Sequence, residues 1–290
     1  MTISASMVKE LRDRTGAGMM ECKKALVQST GDMNTAIELL RKSGQAKADR
    51  KSGRVAADGR IVIVTDDLKG AMAEINSETD FVAKDENFVA FSEAVGSCIL
   101  TSDSVDVDTL AFEILADGRT VEAARTELVT KVGENISVRR FSVLEGAERL
   151  GTYTHGGRIG VMVSLKGGDD DLARDVAMHI AATNPVCIDE TDVPADALER
   201  ERRIFSEQAG ESGKPPEIIE KMVTGRLSKF LREITLLGQP FVKDPDITVG
   251  RLLADAGAEV TKFDRYEVGE GIEKRQDNFV EEVMSQVKLV

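Results

Sequence analysis

RIVIVTDDLKGAMAEIN, residues 60–76, runs directly into SETDFVAKDENFVAFSEAVGSCIL, residues 77–100, and the apolar period changes across this junction. Residues 60–65 (RIVIVT) are rich in β-branched side chains and read as a strand. Residues 66–70 read as a five-residue loop, and 71–76 (AMAEIN) as the returning strand of a hairpin. Residues 77–84 lead away from that strand. From 85 to 100 the apolar period lengthens, with Phe88, Phe91, Val95 and Ile99 on one helical face. A hairpin backed by an amphipathic helix points to an α+β fold.

Downstream, weaker helices are expected near 107–116 and 120–132, then a strand at 136–143 (ISVRRFSV). The same order then recurs. Residues 150–154 and 158–166 form a hairpin around His155-Gly156-Gly157, and 170–183 a helix with Val176, Ala177 and Ile180 inward. A helix at 248–255 and a strand at 258–268 follow. Both halves also end alike, with VGENISV at 132–138 and, offset past its strand, EVGEGI at 267–272. The expectation is a core of two related α+β subdomains with antiparallel sheets.

The second half is interrupted at 194–237. Pro194 suits the first position of a helix. Leu198, Ile204, Phe205 and Ala209 give a narrow apolar stripe among charges. GESGKPP at 210–216 breaks the helix, and Ile219, Met222, Val223, Phe230, Leu231 and Ile234 give a second stripe. This pattern reads as an inserted antiparallel coiled-coil hairpin. Residues 273–287 read as an amphipathic C-terminal helix, with Phe279, Val280, Val283 and Met284 on one side.

Upstream, residues 4–44 read as three short helices. Ser4 or Ser6 caps the first, which carries Val8 and Leu11 and stops at Gly16-Ala17-Gly18. The second spans 19–29 with Cys22, Ala25 and Leu26 inward, and Gly31 ends it. Asp32 caps the third, in which Ile37 and Leu40 face the core and Gly44 closes the helix. The unit resembles a ubiquitin-associated-type three-helix module. Residues 45–59 read as a solvated linker, helical at first. The expected parts are therefore 1–54 (three-helix domain with linker), 55–143 (one core subdomain), 144–193 with 238–264 (the other), 194–237 (coiled-coil hairpin) and 265–290 (C-terminal module).

Composition sets the limits. The 290 residues carry 38 Lys+Arg against 51 Asp+Glu, a net charge of −13, which argues against direct nucleic-acid binding. No apolar run approaches the ~18 residues of a membrane span, and the N-terminus has no signal-peptide pattern. The three cysteines, Cys22, Cys98 and Cys187, are widely spaced and fit a reducing cytoplasm. They read as small core residues on helices.

Reaction chemistry is sparse. There is no GxxxxGK[ST] and no GxGxxG following a strand; Gly156 to Gly160 is a hairpin turn entering a strand. His155-Gly156-Gly157 lacks a GxSxG nucleophile to serve. The only histidines are His155 and His179, and neither has metal-ligand spacing; His179 reads as a boundary residue with a hydrogen bond. No catalytic residue, metal site or cofactor is expected, and the chain is expected not to be an enzyme.

Two stretches remain. Met19-Met20 opens the second helix as either core filler or a docking surface. Thr79-Asp80-Phe81-Val82 lies between strand and helix. In one scheme Asp80 or Asp85 caps the helix and Phe81 packs beneath it. In the other the stretch contacts a partner.

RTGAGMMECKKAL at 14–26 and ETDFVAKDENF at 78–88 resemble two signatures of the bacterial elongation factor Ts family. HGGRIGVMV, SGKPPEIIEKMV, GQPFV and EVGEGIEK resemble further blocks in the same order, so the likeness runs from about 5 to 287. Departures fall at 101–120, at Asp169-Asp170-Asp171 and in the C-terminal tail. The resemblance implies a cytoplasmic guanine-nucleotide exchange factor whose partner is elongation factor Tu. It implies that Thr79, Asp80, Phe81 and Val82 enter the partner's nucleotide domain and displace its magnesium ion. It also implies that Met19, Met20 and His155 dock on the partner. For the hairpin, a homodimer contact, a second partner, or neither stays open.

Overall fold

The computed structural model describes residues 3–67, 69–146 and 148–273. Among them the chain is mixed α and β, with eleven α-helices and three small sheets. None of these helices is long and apolar enough to cross a membrane. The C-terminal helix expected over 273–287 lies, except for residue 273, outside the described residues. The chain divides into two compact units, one holding 3–62, 73–141 and 267–273, the other Ile63–Met72 and Ser142–Tyr266.

The first unit opens with α1 (Ala5–Thr15), α2 (Met19–Gln28) and α3 (Met33–Lys51). Ser4 Oγ accepts the Met7 N–H at 3.3 Å, and Gly16 ends α1 in the left-handed conformation. The Asp32 carboxylate accepts the Thr35 N–H at 2.7 Å. Leu11, Cys22, Leu26 and Ala36 form the buried centre, with Met7, Ile37 and Leu40 packed around them. The expected stop at Gly44 is wrong, because α3 runs on to Lys51. The following residues are good helix formers. Gly44 serves close approach instead: a Cβ there would lie 3.1 Å from Thr130 Oγ1 of α7 (Val121–Val132).

Strands β1 (Asp58–Asp66), β2 (Lys69–Ser77) and β3 (Ile136–Leu144) pair in that order. The first hairpin is tighter than expected, with both strands extending into the supposed loop. Asp67 takes a φ of 42°, in the left-handed region that tight hairpin turns use. Between β2 and β3 lie α4 (Asp80–Ala83), α5 (Glu86–Thr101), α6 (Val107–Leu110) and α7. Phe88, Phe91, Val95 and Ile99 are all buried, as their spacing predicts. The helix expected near 107–116 shrinks to the single turn α6, held by a capping box between Asp106 and Thr109.

In the second unit β4 (Arg149–His155) pairs antiparallel with β5 (Ile159–Lys166), placing Gly151 opposite Val163. Strand β8 (Glu259–Glu267) completes this sheet on the far side of β5. Helix α8 (Asp170–Thr183) contributes Ala173, Val176, Ala177 and Ile180 to a core shared with Val161, Val163 and Leu165. A Cβ on Gly151 would overlap the Ala173 carbonyl and lie 2.9 Å from Val163 Cγ1. Gly151→Ala is therefore expected to cost at least ~1–3 kcal/mol by overpacking. That lowers the melting temperature by several degrees; an unchanged melt would contradict this contact.

Helices α9 (Ala195–Gly210) and α10 (Pro216–Ile234) run antiparallel. Phe205 meets Phe230 edge-on at 6.2 Å, and Arg226 donates to Gln208 at 3.1 Å. Pro194 precedes the first turn of α9 instead of opening it; Pro216 takes that place in α10. A two-stranded sheet, β6 (Pro240–Phe241) and β7 (Asp244–Thr248), follows, and then α11 (Val249–Asp255).

His179 is fully buried, not at a boundary. Its Nδ1 accepts the Val242 N–H at 3.2 Å, so the proton resides on Nε2, which donates to Gln239 Oε1 at 3.0 Å. Gln239 Nε2 donates in turn to the Glu233 carbonyl at 2.7 Å, tying α8 to the end of α10. Burial pushes the His179 pKa down and keeps the ring neutral. Cys22 and Cys98 are buried on helices, whereas Cys187 is half-buried and lies on none.

Candidate partner-binding site

Residues 77–82 leave the buried strand β2 and turn onto the surface. Thr79 has extended backbone angles, and its Oγ1 accepts the Val82 N–H at 3.4 Å, capping the four-residue helix α4. Asp85 caps α5 separately, accepting the Asn87 and Phe88 N–H groups at 2.9 and 3.4 Å. The side-chain hydrogen bond from Asn87 is the main cause holding the Asp85 pKa below its ordinary value. Asp80 caps neither helix. It pairs with Lys84 at 2.7 Å, and both side chains are exposed.

Phe81 does not pack beneath the helix. It is 82% exposed, and α4 has no buried residue. The scaffold scheme therefore fails for Phe81, since an exposed ring contributes almost nothing to the chain's own core.

The turn itself is firmly held. The Thr79 N–H and Oγ1–H both donate to the Glu134 carboxylate, at 3.0 and 2.7 Å. The Asn135 N–H donates to Glu78 at 2.6 Å, and Arg54 approaches the same carboxylate at 3.4 Å. Asn135 Nδ2 donates to the carbonyls of Ser52 and Arg54, at 3.3 and 2.8 Å. Ser77 Oγ donates to the Thr79 carbonyl at 2.9 Å. Lys51 sits at this cluster. Burial, then the nearby Arg54 charge, pull its pKa down, opposed by Glu78 and Glu134. The result is an exposed aromatic on a braced mount.

Met19 and Met20 open α2 behind Gly18, which supplies no side-chain cap, and they are 55% and 75% exposed. They are not core filler. Glu21 beside them pairs with Lys47 of α3. Met19, Met20 and residues 79–82 belong to the first unit. His155 belongs to the second, at the exposed β4–β5 turn, its ring stacked on Tyr153 with centroids 6.4 Å apart. Gly156 and Gly157 have φ of 57° and 70°, so both need the left-handed region.

Glu78, Glu134 and Asn135 were not singled out by the sequence. Glu134 and Asn135 lie more than fifty positions from Glu78 and Thr79, and nothing in local spacing links them. Nor did the pattern flag Val105, Phe112 and Ile114, which are also exposed.

A family model described as Elongation factor TS matches residues 78–270. A protein of Thioalkalivibrio sulfidiphilus named Elongation factor Ts is 62% identical over 292 residues, covering 99% of each chain. Proteins of the same name from Legionella pneumophila (strain Lens) and Methylococcus capsulatus are each 57% identical, again over 99% of both chains. With a family model spanning most of the sequence and relatives matching nearly all of it, this chain belongs to the elongation factor Ts family.

Proposed function

We propose that this chain is the guanine-nucleotide exchange factor of elongation factor Tu in translation elongation, and that Thr79–Val82 is its wedge. The observation that carries this reading is Phe81, 82% exposed on a turn braced by Glu134 and Glu78. A guanosine diphosphate is held by a phosphate cradle and Mg²⁺. An exchange factor stabilises that cradle in a shape that grips both poorly, and needs no acid, base or nucleophile of its own. Phe81 supplies apolar burial to the distorted state. Asp80 supplies negative potential beside the ion and phosphates. Val82 and Thr79 shape the turn.

The magnitudes call for further anchors. Each tenfold gain in release takes about 1.4 kcal/mol of differential binding. A thousandfold gain takes about 4 kcal/mol, more than one side chain usually provides. Met19 and Met20 are the proposed second contact and His155 the third. The proposed parts are the three-helix domain 1–54, the two core subdomains, the coiled-coil hairpin 194–237 and the C-terminal module 265–290. The site of action is the cytoplasm, without direct nucleic-acid contact.

Linkage supplies the test. If the factor weakens GDP binding to elongation factor Tu, GDP weakens the factor's binding by the same ratio. Calorimetry with nucleotide-free and GDP-loaded partner is expected to show much tighter binding to the nucleotide-free form. Equal affinities would overturn the exchange function.

A further inference from the structure

We propose that Glu134 is the positioning residue of the wedge: its carboxylate sets the direction in which α4 presents Phe81. This rests on the exchange function above and adds a residue to it.

The geometry is a relay. Helix α7 ends at Gly133, whose φ of 85° turns the chain sharply. That turn delivers Glu134 and Asn135 opposite residues 78 and 79. Both Glu134 oxygens are used, one on the Thr79 N–H at 3.0 Å and one on its hydroxyl at 2.7 Å. Because the Thr79 hydroxyl proton points to Glu134, its lone pairs face α4 and accept the Val82 N–H at 3.4 Å. Glu134 thereby fixes the rotamer of the cap, and the cap fixes the first turn of α4.

No side chain of α4 is fully buried and only Val82 and Ala83 are half-buried, so packing holds the helix weakly. A single four-residue turn is unstable in isolation, since nucleation costs more than one hydrogen bond returns. Its orientation therefore depends on Thr79, whose hydroxyl caps it and whose carbonyl takes the Ser77 hydroxyl at 2.9 Å and the Ala83 N–H at 3.3 Å, and on the C-terminal bonds of the Lys84 and Asp85 N–H groups to the Phe81 and Val82 carbonyls, at 3.2 and 3.0 Å. The second brace, Glu78 with Asn135, holds the strand end and not α4. Glu134 thus positions the wedge through Thr79 and the first turn of α4.

The test uses the full chain, with labelled GDP on elongation factor Tu as probe. In Glu134→Ala, release at saturating factor is expected to fall about tenfold, the scale of a lost charge-assisted hydrogen bond. The half-saturating concentration is expected to change less than about twofold, because contacts elsewhere supply the uniform affinity. Glu134→Gln keeps one acceptor and is expected to fall between wild type and alanine. Amide hydrogen exchange is expected to speed up about tenfold or more at Val82 and Ala83, with Val138 of β3 unchanged. Thr79→Val, which removes the hydroxyl and leaves Glu134 in place, is expected to act in the same direction. Wild-type release by Glu134→Ala, or exchange accelerated equally at Val138, overturns the positioning role. A wild-type chain that never accelerates release overturns the exchange function and this role together; release lost only in the variants cannot be mistaken for that outcome.

Discussion

Asp80→Ala combined with Phe81→Ala is expected to slow factor-stimulated GDP release by roughly 30- to 1,000-fold, from about 2–4 kcal/mol for truncating a buried interface aromatic. The melting temperature should stay within a degree or two of wild type. Phe81 is 82% exposed, and the Asp80–Lys84 pair is exposed at both ends, so the two side chains add little to the stability of the free protein. Affinity for the partner should fall less than the release rate. Contacts that form with or without nucleotide give uniform binding and no acceleration, whereas the proposed wedge contacts would form only in the distorted state. Thermal melts and stopped-flow release on the same variant separate the possibilities. A sharp loss of stability with release per folded molecule unchanged would make residues 79–82 ordinary scaffold.

The largest expected effect on stability lies at Glu74, fully buried in β2. Arg139 reaches both of its oxygens, at 3.0 and 3.2 Å, and Arg140 Nε donates at 2.6 Å. Asn76 Nδ2 and the Gly269 N–H add bonds of 3.0 and 2.8 Å. Arg139 and Arg140 also reach the carbonyl and carboxylate of Glu270, at 2.6 and 3.1 Å, so the cluster fastens the chain just past β8. Removing one member of a buried ion cluster costs about 3–5 kcal/mol, because its partners remain desolvated. Glu74→Ala is expected to melt on the order of 10 °C lower. Glu74→Gln should lose much of the same stability, since it keeps the shape and removes the charge.

The pH dependence of that loss follows from the carboxylate. Burial is the largest single influence on Glu74 and pushes its pKa up. The bonds from Gly269, Asn76, Arg139 and Arg140 outweigh it together, and the pKa lies below the ordinary value of 4.5. A depressed carboxylate contributes stability above the unfolded pKa and loses it as pH falls through the folded one. The gap between wild type and Glu74→Ala should therefore be constant near neutrality and narrow below about pH 4.5. A gap that widened in acid would contradict the cluster.

How much of this was legible in sequence depends on range. The Phe88, Phe91, Val95 and Ile99 stripe is local periodicity, and it buries as expected. Gly44 reads locally as a stop signal for α3, whereas its role is set by Thr130, far along the chain. Glu74 stood in AMAEIN as one charge in an apolar strand; its arginines lie more than sixty positions away, beyond any spacing rule. At Thr79–Val82 the pattern fitted both a cap and a contact. Asp85 does cap α5, but the 82% exposure of Phe81 rules out its packing beneath the helix, and exposure is a property of the packed chain. The brace from Glu134 is equally non-local, which is why VGENISV read only as the end of a repeat.

The most direct measurement is the release of fluorescent GDP from elongation factor Tu, followed by stopped flow with and without this chain. Saturating factor should accelerate release by well over about tenfold, which takes at least ~1.4 kcal/mol of preference for the distorted nucleotide site. The rate should rise hyperbolically with factor concentration and fall back toward the unstimulated value in the Asp80→Ala, Phe81→Ala variant. A release rate unchanged at every concentration of wild-type protein would contradict the exchange function.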